Sequence, residues 1–193
     1  MDSPEAILVT GYKPHELGIF TADHDGITVI RHCLKRQIRE LAVQGTKWFV
    51  ISGQAGIELW AGDACLEVKK EDGLDINLAV LVPFLNQEER YKDWLKEQYH
   101  QILEAADFTG AISKRPYESP VQLRQKNDYL VAKTDGALIL YDEETPGSPK
   151  YCLAAAKRKA RCQDYPIRMI DRYDLSFAAE ELQEQNPDYW SQM

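Results

Sequence analysis

The stretch "VISGQAGIELWAG" (residues 50–62) decides how the rest of the chain is read. Its apolar run stops at Ser52-Gly53-Gln54-Ala55-Gly56, and a helical period opens at once with Glu58 in its first turn. A chain that turns this sharply exposes the first N–H groups of the new helix, which have no partner inside it. Gly53 and Gly56 permit positive φ and a close approach to the backbone, and Ser52 can donate or accept at the cap. Such a helix start attracts anions. The pattern is shorter than a dinucleotide GxGxxG fingerprint and lacks the lysine of a P-loop, so a phosphate cradle and a plain strand-to-helix corner both remain open. Glu58 has two readings as well: a carboxylate stabilised by the helix dipole, or one that faces a ligand.

Outward from this turn, apolar β-branched runs recur at 6–10, 48–52, 76–82, 109–113, 137–141 and 167–170. Continuous rather than alternating runs indicate strands covered on both faces. Between them lie helical periods. Ile30, Leu34, Ile38 and Leu41 form one, and Ile57, Ala61, Ala64 and Val68 a second. Three more cover 91–105, with Trp94, Leu95, Ile102 and Leu103, then 121–133, with Leu123, Leu130 and Val131, and 150–162. Alternating strands and helices of this length close as a parallel sheet under right-handed crossovers. The expected fold is α/β, a Rossmann-like three-layer sandwich with a mainly parallel sheet over residues 1–171. An acidic C-terminal helix or tail, 172–193, packs on it or extends from it.

Non-periodic pieces follow several of the strands, at the edge where open α/β sheets place their ligands. After the first strand, Gly11 and Lys13 in "TGYKP" pair a glycine with a cation, as an anion site would, although a solvated lysine reads equally well. Phe84 in "VPF" packs under its loop or presents a face to a nucleobase. "KRPYESP" groups Lys114, Arg115, Tyr117 and Glu118 between two prolines, offering a guanidinium fork and a stacking surface. Asn127 shares a helix side with Leu123 and Leu130 and needs a partner there. In "YDEETPGSPK", Asp142 can accept from ribose hydroxyls, and Gly147-Ser148 precedes the next helix.

Composition narrows the function classes. At 193 residues, 44% hydrophobic and 28% charged, the chain has the make-up of one soluble domain with a sizeable core. The N-terminus carries an acidic residue at position 2 and has neither the basic region nor the apolar run of a signal peptide, and no stretch reaches bilayer length. The expectation is a cytoplasmic protein with no membrane partner. Cys33, Cys65, Cys152 and Cys162 show no CxxC spacing and fall in helical segments, so buried reduced thiols are expected. His15, His24, His32 and His100 form no HxxxH pair, and no metal site is expected. A net charge of −8 argues against nucleic acid as the partner. The charge is uneven, because residues 172–193 hold one arginine against five carboxylates.

Six pieces in order, "TGYKPHELGIF", "ISGQAGIELWA", "VPF", "RPYESP", "QKNDYLV" and "DGALILYDEETPGSPKY", resemble the YpsA-like family of the SLOG superfamily. That Rossmann-like group also contains DprA and the LOG-type nucleotide phosphoribohydrolases. The resemblance implies strand-end loops that bind a nucleotide or nucleotide-derived ligand of the NAD or ADP-ribose type. It carries that role onto Gly11, Ser52, Gly53, Gly56, Glu58, Arg115, Glu118 and Gly147. It supplies no activity and no cofactor. LOG-type enzymes have a PGGxGTxxE signature after a late strand, whereas "GSPKYCLAA" here lacks both the glycine pair and the carboxylate.

The leading expectation is a non-catalytic nucleotide-binding or sensing protein, with phosphate on the Gly53–Gly56 helix start and Arg115 adding positive charge. Glu58 or Asp142 would accept from the ribose. The alternative is a nucleotide hydrolase that uses Glu58 or Glu118 as acid/base. A homo-oligomer or a protein partner is compatible with the first reading. Tyr189 and Trp190, in the acidic tail, would dock on such a partner or fold back on the domain.

Overall fold

The computed structural model describes residues 3–186 and Asp188. Its strands are β1 (Ala6–Gly11), β2 (Trp48–Ile51), β3 (Asn77–Val82), β4 (Phe108–Ala111), β5 (Gly136–Leu140) and β6 (Ile167–Ile170). Its helices are α1 (Asp25–Val43), α2 (Ile57–Asp72), α3 (Asp93–Ala105), α4 (Val121–Lys133), α5 (Pro149–Ala160) and α6 (Arg172–Gln185). All strand pairings are parallel, in the order β4-β3-β2-β1-β5-β6. The chain steps outward from β1 to β4, then crosses back to β5 on the other side of β1. Right-handed crossovers therefore put α1, α2 and α3 on one face and α4 and α5 on the other. The packed pairs agree: α1 lies along α2 and α6, α2 touches α3, and α4 pairs with α5. This is the expected three-layer α/β sandwich.

The central strands read as continuous apolar runs because both of their faces are covered. β5 is buried at every position, and β1 at all but Ala6. α1 turns the face Ile30, Leu34, Ile38 and Leu41 onto the core, as its period requires. α4 departs from its apparent period. Its buried face is Gln122, Lys126, Leu130 and Val131, while Leu123 is exposed and Asn127 half-buried. Gln122 explains part of this. Its side chain accepts from the Glu118 N–H at 2.6 Å and the Ser119 N–H at 3.2 Å, and donates to the Pro116 carbonyl at 3.0 Å. A buried glutamine so satisfied folds the 113–119 loop down onto the helix.

α6 packs back on the domain. Ala178 is fully buried, Glu181 pairs with Arg36 at 3.3 Å, and the Arg36 guanidinium lies over Phe177 at 4.8 Å. A reciprocal capping box between Asp171 and Asp174 starts the helix. Tyr189 and Trp190, named above as docking residues, lie outside the described residues. Cys33, Cys65 and Cys152 are buried thiols as expected, and burial pushes them up to about 11, 12 and 12. Cys162 corrects that expectation. It lies just beyond the end of α5 and is exposed.

Two close approaches lock the opening stretch in place. A side chain at Gly11 would collide with Ile57, its Cβ 2.7 Å from Ile57 Cγ2, so the end of β1 and the start of α2 touch directly. Gly56 has φ +100°, and a Cβ there would lie 2.5 Å from the Tyr12 carbonyl oxygen. That same carbonyl accepts from the Ile57 N–H at 3.1 Å. Gly56→Ala is expected to cost roughly 2–4 kcal/mol in urea unfolding, from backbone strain plus overlap. Gly18→Ala, at φ +68° in open space, is expected to cost about 1 kcal/mol by the same assay.

Candidate functional site

The strand ends carry two different environments, separated by what fills the reversal between β1 and β5. In open α/β sheets this reversal point is the usual ligand crevice. Here the chain fills it. A short 3-10 turn, Pro14–Leu17, follows β1 and delivers Glu16 to the start of α5. Its carboxylate accepts from the Ser148 N–H at 2.7 Å, the Ser148 hydroxyl at 2.6 Å and the Lys13 N–H at 2.9 Å. Partial burial works against the Glu16 charge. The Ser148 and Lys13 hydrogen bonds outweigh it and hold the carboxyl below its ordinary value. A Cβ on Gly147 would sit 2.5 Å from Glu16 Oε2, so the glycine makes room for this internal anion. Tyr12 completes the plug, since its hydroxyl accepts from the Asp142 N–H at 2.9 Å and donates to the Thr145 carbonyl at 2.6 Å.

The "SGQAG" turn is held from both sides. Beneath it Glu58, 1% exposed, accepts from the Ser52 N–H at 2.6 Å, the Ser52 hydroxyl at 2.8 Å and the Thr10 hydroxyl at 3.0 Å. Both carboxylate oxygens are therefore turned inward, tying the ends of β1 and β2 to the first turn of α2. From above, the loop after β3 grips the turn. Gln87 donates to the Ser52 carbonyl at 2.6 Å. The Tyr91 hydroxyl donates to the Gly53 carbonyl at 3.0 Å and accepts from the Ala55 N–H at 3.2 Å. Burial, reinforced by the Glu58 charge, pushes this phenol up and keeps it protonated.

Over the ends of β1 to β4 opens a cavity of about 640 Å³, within the size range of small-molecule sites. Five of the residues singled out in sequence line it: Lys13, Ser52, Gln54, Phe84 and Tyr117. Phe84 and Tyr117 stack at 5.2 Å with a tilt of 58°. The other ten lie off the cavity. Gly11, Gly53 and Gly56 shape its turn, and Glu58 holds that turn from below. Arg115 and Glu118 face solvent and pair with each other at 3.8 Å. Asp142 meets Arg172 at 3.3 Å and borders a separate cavity of about 390 Å³. Gly147 and Ser148 receive Glu16, and Asn127 sits one residue past a lining position. The loop after β5 thus does not join those after β1 to β4.

The structure adds a residue that the sequence did not single out. Lys126 lines the cavity, is only 7% exposed, and makes no ion pair or hydrogen bond among the described residues. Its stem is buried, while among the described residues the closed-off side-chain nitrogens without a partner do not include its Nζ; the ammonium therefore keeps access to the cavity, where an anion can meet it. It lies inside the "QKNDYLV" piece, four residues after the buried Gln122 and four before Leu130. That spacing was its only signal. Phe20, Trp94, Arg90, Tyr91 and Lys92 also line the cavity. Lys92 lies over the Phe20 ring at 5.2 Å and Arg90 over Tyr117 at 5.7 Å. Cations outnumber the one lining carboxylate, Glu89. Among the described residues no group of three or more His, Cys, Asp or Glu could hold a metal ion, and no helix is long and apolar enough to cross a membrane.

Residues 7–175 match the family model described as the YspA SLOG family. The chain belongs to this family. It is 51% identical over 177 residues to a UPF0398 protein of Halalkalibacterium halodurans, covering 92% of this chain and 93% of that one. UPF0398 proteins of Lysinibacillus sphaericus (43%, 93% and 99% covered) and Bacillus thuringiensis (45%, 95% and 100% covered) are similar along their whole length. The solved structure of DNA processing protein A from Helicobacter pylori, described for its single-stranded DNA binding mode, has a TM-score of 0.52. It covers 93% of this chain and 72% of that chain at 17% identity, a likeness of fold.

Two outcomes follow from these contacts. Glu58→Gln turns an amide toward groups that all donate, and is expected to cost roughly 2–4 kcal/mol in chemical denaturation. Any loss of function in that variant therefore reports the fold. Glu16, held below its ordinary 4.5, adds stability that is present above that value and lost as pH falls through its lower folded value. Glu16→Gln is accordingly expected to flatten the acid limb of Tm against pH, while leaving its slope near neutrality unchanged.

Proposed function

We propose that this protein binds a nucleotide or nucleotide-derived anion in the cavity over β1 to β4 and acts through binding. The observation that carries this reading is Lys126, whose stem is buried and whose ammonium has no partner among the described residues, in a cavity whose lining includes Phe20, Phe84, Trp94 and Tyr117. A cation from a buried lining residue and aromatic faces from more exposed ones match the two halves of a nucleotide. Membership of the SLOG family and the DprA-like fold support the same ligand class. The acidic total charge bears less on this point than the local lining, where Lys13, Arg90, Lys92 and Lys126 outweigh Glu89.

The hydrolase alternative draws no support from the same geometry. Neither Glu58 nor Glu118 lines the cavity, the first being bonded inward and the second paired with Arg115 at the surface. An acid/base must come within hydrogen-bond reach of the reacting atoms.

Thermal shift with AMP, ADP-ribose, NAD and a short single-stranded oligonucleotide tests the proposal. A ligand at 100 times its Kd stabilises by about 2.7 kcal/mol, a rise in Tm of roughly 5–11 °C for a domain of this size. Lys126→Met is expected to abolish the shift. No shift with any of the four would contradict the proposal. A shift unchanged in Lys126→Met would place the ligand elsewhere.

A further inference from the structure

The cavity is graded from bottom to mouth, and the gradient gives the ligand a direction. Its buried polar lining consists of Ser52, 1% exposed, and Lys126, 7% exposed, beside Ala55 at the start of the α2 turn. Ser52 already donates its hydroxyl to Glu58, which leaves Lys126, buried along its stem, as the cation on this side of the lining whose ammonium has no partner among the described residues. At the mouth stand Phe20, 56% exposed, and Tyr117, 41% exposed, each beneath a cation. The half-buried amides of the lining, Gln54 and Gln87, are bonded to the Gly11 and Ser52 carbonyls.

We infer, resting on the nucleotide reading above, that the ligand enters phosphate first and that the site takes nucleoside monophosphates as a class with little choice among bases. A phosphate monoester carries about −1.5 to −2 charges near neutral pH, against one for each phosphate of an internal diester linkage. The single buried cation favours the terminal group. At that mouth the base meets ring faces and cations. Stacking of this kind tolerates any base, because each has a π face. Strong selection needs polar groups that are left unpaired by the wrong base; in this lining Ser52, Gln54 and Gln87 are bonded within the fold, and the unpartnered Trp94 Nε1 is closed off from solvent and so out of a ligand's reach.

Calorimetric titration of the full chain with AMP, GMP, CMP, UMP, adenosine and NAD tests this. The four monophosphates are expected to bind within about fivefold of one another, with adenosine and NAD at least tenfold weaker than AMP. Lys126→Met, with Lys126→Gln as a second variant should the first misfold, is expected to weaken AMP at least tenfold and leave adenosine unchanged. Phe20→Ala and Tyr117→Ala are expected to weaken all four monophosphates alike. NAD binding more tightly than AMP, or one base preferred more than tenfold, would overturn this inference and leave the nucleotide reading standing. No binding by any of the six would overturn both.

Discussion

The buried carboxylate of Glu58 is the contact on which the strand-end architecture depends. By accepting from Ser52 twice and from Thr10 once, it joins β1, β2 and α2 at a single point. Donors aimed at a buried charge are strong and costly to lose, so the corner cannot relax independently of the sheet. Gly11 against Ile57 and Gly56 against the Tyr12 carbonyl then follow as steric consequences, since the helix is drawn onto the strand end with no room for a side chain between them. The Gln87 and Tyr91 contacts from the other side make the loop after β3 part of the same unit.

This arrangement moves the open volume away from the place where the fold alone would put a ligand. At the reversal between β1 and β5, the start of α5 is a natural anion site, and the chain supplies its own anion through Glu16. The open volume lies instead over β1 to β4, where Lys126 comes from α4 on one face of the sheet and Tyr91 and Trp94 from the region of α3 on the other. Fold and cavity position are thereby partly uncoupled, which is why a family fold is a weak guide to a site.

The strands and helices were legible because their apolar periods are set by burial. β6 and α4 match the expected boundaries, and β4 is shifted by only one residue at its start and two at its end. The face of α4 was not legible for a related reason. Periodicity reads apolar residues, but this helix buries Gln122 and Lys126, which look like surface residues until their partners are known. Asn127 was therefore singled out, one position from the residue that reaches the cavity. The role of Glu16 was hidden because it depends on a contact 132 residues away with Ser148. The "SGQAG" turn was recognised as a sharp, glycine-dependent corner. What its residue types could not reveal is that Glu58 faces down into the sheet.

The most direct test is the position of phosphate in a crystal of the protein grown with AMP. The account predicts phosphate density within hydrogen-bond distance of Lys126 Nζ, with Glu16 still seated on Ser148. Phosphate on the Ser148 N–H, with Glu16 displaced, would contradict it.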